Sequence, residues 1–318
     1  MNKCLWLALL WLCSLSAGSM ILVEPRIVGG TAVTDPPDYL VFLVVETPSG
    51  SQWCGGSYVG EGRVLTAAHC LFGDQSSPAT NIQLYFNVPS GNRNNLRRAT
   101  RIDSSVYSIY PEYNNATFGT DPAGDAAVVF LPRAVPAGVQ AISLANKSQT
   151  DEALATRRSA IAVGWGVSNL DTPNEATDQL QSVNLTLDSP DSCDNLSFCQ
   201  NFSSDFVLFA GSADAGKDTC NGDSGGPLVI YEAGLPVLLG LTSFGPGEDV
   251  GCASANMPGG YTRVSAVRLW VLNAEPGHQT IEEAVIAKRT VTGEGSVSFA
   301  LVLMLTALSG THDKVAGL

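Results

Sequence analysis

Three short segments carry side chains that could attack a carbonyl or move a proton. His69 ends the run Leu65-Thr66-Ala67-Ala68-His69 and is followed by Cys70; its imidazole is a base that titrates near neutral pH. Asp125 opens Asp125-Ala126-Ala127-Val128-Val129 after Gly124, a carboxylate at the mouth of an apolar run where it can be buried against an imidazole. Ser224 lies in Cys220-Asn221-Gly222-Asp223-Ser224-Gly225-Gly226-Pro227. The glycines after the serine let backbone crowd close, and Gly222 lets an amide N–H face a substrate oxygen. A hydroxyl, an imidazole and a carboxylate together form an activated nucleophile, the equipment of acyl transfer. Taken singly, each segment has an ordinary reading: a structural histidine beside a cysteine, a turn aspartate before a strand, and a Gly-rich turn.

The elements that would position these groups read as strands. Short β-branched and aromatic runs recur at Leu40–Val45, Arg63–Ala67, Ile82–Phe86, Ala126–Leu131, Ala160–Val163, Gln181–Leu187, Pro227–Tyr231 and Val237–Phe244. Breakers such as Pro36-Pro37, Ser49-Gly50 and Pro89-Ser90-Gly91 separate them. Many short strands punctuated by Gly and Pro predict an all-β sandwich or a pair of barrels. Only Ser265–Leu272 reads as helical. No internal repeat of fixed period is present.

The chain has 318 residues, 45% hydrophobic and 15% charged, enough for a sizeable core. A formal charge of −13 argues against nucleic acid as a partner and against adhesion to an anionic membrane. Lys3, the apolar run Leu5 to Leu12 and the small residues Ser14, Ser16, Ala17 and Gly18 form a secretory signal pattern over residues 1–18. That apolar run is short of the roughly 20 residues of a spanning helix. Export removes Cys4 and Cys13 and leaves Cys54, Cys70, Cys193, Cys199, Cys220 and Cys252. An even set in an exported chain reads as three disulfides, and sequence alone leaves about 15 connectivities open. Sequons at Asn115, Asn146, Asn184, Asn195 and Asn201 mark glycosylation candidates on exposed loops.

Ordered together, the motifs resemble the trypsin-like, chymotrypsin-fold serine peptidases. The resemblance runs from Ile27 to about Asn273. Besides the three segments above, it rests on Arg26-Ile27-Val28-Gly29-Gly30, Cys54-Gly55-Gly56-Ser57, Tyr110-Pro111-Glu112-Tyr113-Asn114, Gly164-Trp165-Gly166 and Pro258-Gly259-Gly260-Tyr261-Thr262-Arg263-Val264. The order His, Asp, Ser is the family's.

This resemblance implies two packed six-stranded antiparallel β-barrels with a C-terminal helix and the active site in the crevice between them. It implies Ser224 as nucleophile, His69 as general base, Asp125 as orienting carboxylate, and the N–H groups of Gly222 and Ser224 as oxyanion hole. Cleavage between Arg26 and Ile27 would release an α-ammonium that pairs with Asp223, making residues 19–26 an activation propeptide and 27–275 the peptidase domain. Asp218 would sit at the pocket floor, helped by Thr219, Ser243, Gly245 and Gly259, so the substrates would be proteins or peptides cut after Arg or Lys. Protein protease inhibitors are the other partners implied. No cofactor or metal is implied, and no calcium-binding acidic loop is recognisable in Phe72–Pro89.

The family pairs Cys54 with Cys70 and Cys220 with Cys252. Phe209 stands where relatives carry a cysteine, which leaves Cys193 to Cys199. Phe244 replaces the family's Trp after Ser243, and extra residues fall within Pro246–Val250. The tail, 276–318, lies outside the resemblance; its apolar stretch Val297–Leu308 is too short to span a bilayer, and Lys288-Arg289 offers a processing point. The expectation is a secreted, extracellular zymogen. The alternatives are a catalytically silent secreted binding or inhibitor protein on the same fold, and a form attached to a membrane through its tail.

Overall fold

The run Leu40–Thr47 (β1) shows how the apolar pattern builds two cores at once. Val41, Leu43 and Val45 point into one buried cluster, while Leu40 and Phe42 point into another. Successive side chains on a strand alternate in direction, so a continuous apolar run marks a strand covered on both faces. The structure, a computed structural model, describes residues 27–73, 77–118, 120–166, 179–193, 196–212, 215–246 and 250–277. The expected signal segment, Arg26, Asn195 and the tail beyond residue 277 lie outside the described residues.

The chain forms two β units in sequence. In the first, β1 is followed by Gly50–Gly60 (β2), Arg63–Thr66 (β3), Asn81–Phe86 (β4), Thr100–Ser104 (β5), Tyr107–Ile109 (β6) and Ala127–Phe130 (β7). They hydrogen-bond in the order β5-β4-β1-β2-β3-β7-β6, all antiparallel, as a curled half-barrel. The second unit comprises Ser159–Gly164 (β8), Gln181–Asp188 (β9), Val207–Gly211 (β10), Pro227–Glu232 (β11), Leu235–Phe244 (β12) and Gly259–Arg263 (β13). Their order, β9-β8-β11-β12-β13-β10, returns to β9 through a β9–β10 ladder, which closes a six-stranded barrel. The all-β, two-unit expectation therefore holds. The first unit has seven strands in an open curl rather than a closed ring of six.

Strand β9 shows the alternation of a sheet with one wet face: Val183, Leu185 and Leu187 are buried, while Asn184 and Thr186 are exposed. Helix α1, Lys147–Ala155, starts at a capping box in which Asn146 Oδ1 accepts the Gln149 N–H and the Gln149 side chain accepts the Asn146 N–H. Helix α2, Val264–Asn273, buries Val264, Val267 and Val271 at helical spacing and runs one residue further at each end than Ser265–Leu272. These valines join Leu40, Phe42, Tyr85 and Val128 of the half-barrel with Val229, Leu238 and Leu241 of the barrel in one cluster between the units.

The ends of the described chain cross over. Ile27 packs inside the closed barrel, and Thr31 pairs with Ser182 on β9. Beyond α2, the Glu275 carbonyl accepts the Ser108 hydroxyl of the half-barrel at 2.8 Å. All three expected disulfides are present: Cys54–Cys70, Cys193–Cys199 and Cys220–Cys252. Phe209 explains the displaced pairing. Its ring fills the space beside Cys193 and Cys199 in a cluster with Phe198, Phe202 and Phe244.

Candidate active site

Strands β3 and β7 are hydrogen-bonded neighbours, with Thr66 opposite Ala127, so the residues just beyond their ends meet. His69 begins a single 3₁₀ turn, His69–Leu71, after β3. Asp125 precedes β7 and is fully buried. Its Oδ1 accepts the backbone N–H of His69 at 2.9 Å, and its Oδ2 lies 2.7 Å from His69 Nδ1. Two further donors come from the closed barrel. Ser243 Oγ donates to Asp125 Oδ2 at 2.5 Å, and Thr262 Oγ1 donates to the Asp125 carbonyl at 2.8 Å. A buried carboxylate needs such donors to offset its lost hydration. With a carboxylate on Nδ1, the imidazole carries its proton there and presents Nε2 as a lone pair.

Ser224 is held from the half-barrel side. Gly55 N–H donates to the Ser224 carbonyl at 2.8 Å, and Thr66 Oγ1 donates to the Gly55 carbonyl at 2.7 Å. Gly225 has φ +72°, and a Cβ there would lie 2.2 Å from Thr66 Oγ1. Only glycine fits that contact. The N–H groups of Gly222 and Ser224 have no acceptor among the described residues, an arrangement that leaves two donors for an incoming oxyanion. Ser224 Oγ makes no hydrogen bond to His69 among the described residues; His69 Nε2 has Cys70 Sγ at 4.0 Å. Hydrogen bonds of this kind commonly tighten only when substrate arrives.

Beside Ser224 lies a pocket of about 60 Å³ whose wall includes Thr219, Cys220, Ser224, Ser243, Gly245 and Cys252. A Cβ added at Gly245 would meet nothing within 4 Å, so that side of the wall stands open. Asp218 and Gly259 are not on this wall. Asp218 is 2% exposed and adjoins the pocket through Thr219, whose N–H donates to Asp218 Oδ1 at 2.7 Å. Gly259 packs against the same carboxylate: a Cβ there would lie 2.9 Å from Asp218 Oδ1. Burial pushes the Asp218 carboxyl up to about 7, against the lowering effect of the Thr219 and Ala253 N–H donors. Repulsion from Asp223 adds to the rise.

Asp223 is also buried. It accepts the N–H of Gly166 at 2.7 Å and of Cys220 at 2.9 Å. Burial again dominates and pushes the carboxyl up to about 7. The Gly164-Trp165-Gly166 motif lets the backbone approach this carboxylate, since a Cβ at Gly166 would lie 2.3 Å from Asp223 Oδ2. Ile27 is fully buried in the barrel core, and Val28 forms a β-bridge with Asp218.

Two features at the site had no signal in the motifs. Ser243, read as a substrate-binding residue, also turns its hydroxyl onto Asp125. Phe118 stacks on the His69 ring, with centroids 4.8 Å apart and planes 25° apart. Of the sequon asparagines, Asn146, Asn184 and Asn201 are exposed, whereas Asn115 is 7% exposed with its Oδ1 accepting the Tyr113 hydroxyl. Among the described residues, no cluster of three or more His, Cys, Asp or Glu side chains could hold a metal ion.

Comparison with known proteins bears on the same region of the chain. Residues 27–271 match the Trypsin family model. "Trypsin" of Saccharopolyspora erythraea is 34% identical over 242 residues, covering 76% of this chain and 94% of that protein. "Trypsin beta" of Drosophila erecta is 31% identical over 258 residues, covering 80% and 91%. "Trypsin alpha" of Drosophila melanogaster is 32% identical over 258 residues, covering 80% and 90%. With the fold, the three disulfides and this extent of similarity, the chain belongs to the trypsin family of chymotrypsin-fold serine peptidases.

Proposed function

We propose that the chain is a secreted zymogen of a serine endopeptidase that hydrolyses peptide bonds after Arg or Lys. The observation that carries the peptidase reading is the hydrogen-bonded set of His69, Asp125 and Ser243, with Ser243 lining the same pocket as Ser224, on a turn whose Gly222 and Ser224 N–H groups have no acceptor among the described residues. In acylation, Ser224 Oγ attacks the scissile carbonyl carbon while His69 Nε2 takes the hydroxyl proton. The carbonyl π pair moves onto oxygen, where the Gly222 and Ser224 N–H groups stabilise it, a donor being worth about 3 kcal/mol in the transition state. Collapse re-forms the carbonyl, breaks the C–N bond, and sends the proton from His69 to the leaving amine. Water then repeats the sequence on the acyl-enzyme and frees Ser224. Asp125 holds the Nδ1 tautomer and stabilises the imidazolium throughout.

The specificity proposal rests on Asp218. A buried carboxyl raised to about 7, chiefly by burial, is short of a cation, and an Arg or Lys side chain entering beside Thr219 would supply one. The activation proposal rests on Asp223 by the same reasoning. Cleavage after Arg26 would give Ile27 an α-ammonium, and pairing with Asp223 would order the turn that carries the oxyanion donors. Secretion is supported by the three disulfides. Exposed Asn146, Asn184 and Asn201 are the proposed glycan carriers among the described sequons.

The test is to activate the full chain with a protease specific for Arg and titrate it with a fluorescent fluorophosphonate. Wild type should label at Ser224 and cleave Arg and Lys substrates from a peptide panel. Ser224→Ala should lose both, with turnover lower by about 10⁶. Absence of labelling after verified cleavage at Arg26 would instead favour the catalytically silent binding protein. Labelling with cleavage mainly after Phe, Leu or Ala would remove the specificity proposal and keep the mechanism.

A further inference from the structure

We propose that the half-barrel carries a second binding surface, a basic groove that docks an acidic, apolar-containing segment of a polypeptide partner. The groove is a concavity of about 590 Å³ that includes Trp53, Tyr85, Arg93, Leu96, Arg97 and Arg101 in its wall. It is separate from the pocket beside Ser224, with which it shares no residue.

Charge selects the partner. The segment from Arg93 to Arg101 holds four arginines and no Asp or Glu, in a chain whose formal charge is −13. Arg101 is paired with Asp103. The side chains of Arg93 and Arg97 are exposed and have no partner among the described residues, and neither does Arg98. Arg93 and Arg97 stand four residues apart on one short helical turn, Arg93–Leu96 with Arg97 as its cap. Like charges at that spacing destabilise a helix, so local stability does not account for them. The acidic side chains nearby are already engaged. Glu46 accepts from Asn81 Nδ2 at 3.1 Å and from Gln83 Nε2, and Asp103 takes Arg101. An incoming carboxylate therefore meets two unpaired guanidinium groups.

Apolar surface selects a polypeptide over a plain polyanion. Trp53 is 51% exposed, the largest aromatic so displayed among the described residues, and Val44, Leu96 and Ala99 line the same groove. Exposed Trp beside Arg is the composition of binding hot spots. A sulfated polysaccharide would use the arginines and leave this apolar area wet. An acidic peptide with interspersed Leu or Phe would use both.

Position links the groove to the nucleophile turn. Trp53 lies on β2 two residues before Gly55, whose N–H holds the Ser224 carbonyl, and next to Cys54, which is bonded to Cys70 beside His69. A partner seated on Trp53 is thus carried on the strand that buttresses the candidate nucleophile. As a consequence for substrate choice, which rests on the proposed peptidase activity, proteins bearing an acidic stretch near a scissile Arg or Lys would be selected.

The probe is a short fluorescein-labelled peptide of Glu interspersed with Leu and Phe, followed by anisotropy against the full chain at low and at physiological salt. Binding should weaken as salt rises, and a Lys-for-Glu peptide of equal length should not bind. Arg93→Glu with Arg97→Glu should raise Kd by about tenfold or more, and Trp53→Ala by several-fold. These residues are exposed, and unchanged melting of the variants shows that they fold. A Kd within about twofold of wild type for the double charge reversal overturns the proposal. Tighter binding of a heparin fragment that Trp53→Ala leaves unchanged overturns the polypeptide assignment in favour of a polysaccharide. The same acidic stretch fused to an Arg-containing reporter separates the two readings: peptide binding without cleavage of any reporter removes the peptidase reading and keeps the groove.

Discussion

Asp125, which faces the half-barrel's His69, and Asp218, in the closed barrel, are almost equally buried, at 0% and 2% exposure, but differently supplied. Asp125 takes a backbone N–H, an imidazole nitrogen and a hydroxyl within the chain. Asp218 has N–H donors from Thr219 and Ala253, a distant Thr219 hydroxyl and no cation among the described residues, and its carboxyl rises to about 7. The contrast separates two uses of burial. A carboxylate with a full set of internal donors is fixed in place to orient another group. One left short of charge compensation is the kind of group that the proposed specificity would use to receive a cation from outside.

The comparison breaks most visibly at Asp125. Asp125→Asn keeps the size of the side chain but swaps one acceptor for a donor, which favours the wrong imidazole tautomer. Turnover in a steady-state assay on an Arg substrate should fall about 10⁴-fold. A loss under tenfold would mean that Asp125 does not orient His69.

At Asp218 the expected effect is smaller and selective. Asp218→Ser should reduce kcat/KM for Arg and Lys substrates by about 10²–10³, in line with about 3–5 kcal/mol for losing one partner of a buried pair. Labelling of Ser224 by a fluorophosphonate should persist. Equal losses across Arg, Phe and Ala substrates would show that Asp218 acts on the fold and not on selection.

The two regions should also answer pH differently. An amidinium inhibitor binding beside Thr219 needs Asp218 ionised, so its affinity should fall about tenfold per pH unit below about 7 and level off above. Asp218→Ser should flatten that profile. For the empty, uncleaved chain the sign is opposite. Asp218 and Asp223, raised from 3.8 to about 7, keep protons in the folded state that the unfolded chain has released between pH 4 and 7. Melting temperature should therefore decline as pH rises through that window and stay level above it. Calorimetry showing a rise across pH 4–7 would contradict the cation-poor reading of both sites.

Ser243→Ala sharpens the comparison from the other side. Removing one hydroxyl from a charged acceptor typically costs about 1.5–3 kcal/mol, so kcat should fall roughly tenfold to a hundredfold while Arg stays preferred over Phe. If the Arg preference collapsed instead, the pocket role of Ser243 would outweigh its bond to Asp125.

Much of this architecture was legible in the sequence because the relevant signals are local. Runs of β-branched and aromatic residues between turn residues placed eight strands to within a few residues, but Gly50–Gly60, Thr100–Ser104, Tyr107–Ile109, Val207–Gly211 and Gly259–Arg263 carry no such run and went unread. The glycine turn around Ser224 can only be built by residues free of Cβ clashes. The family resemblance, with Phe209 where relatives carry a cysteine, already implied that Cys193 pairs with Cys199. Other features depended on which strands meet. Whether the first sheet closes is decided by its end strands, not by any strand's own pattern. The Asn115 motif is indistinguishable from its exposed counterparts until Tyr113 is seen to cap it. The net charge of −13 averaged away the local basic run from Arg93 to Arg101, so the sum argued against clustered cations where the chain holds four. Net charge constrains the whole surface and says little about one groove.

The crossed ends of the chain have a consequence for biosynthesis. A ribosome delivers the half-barrel first, yet Val264, Val267 and Val271 of α2 cover one face of its core, and Ser108 bonds to the Glu275 carbonyl. The segment at Ile27 waits in turn for Ser182 and the barrel interior. Contacts this distant in sequence are slow to form, because long loops must close before they are rewarded. The first unit should therefore persist during synthesis as an incompletely covered sheet, vulnerable to aggregation until the last helix emerges. Chains truncated before residue 264 should be protease-sensitive and recovered mainly with chaperones, even though the whole half-barrel has been made.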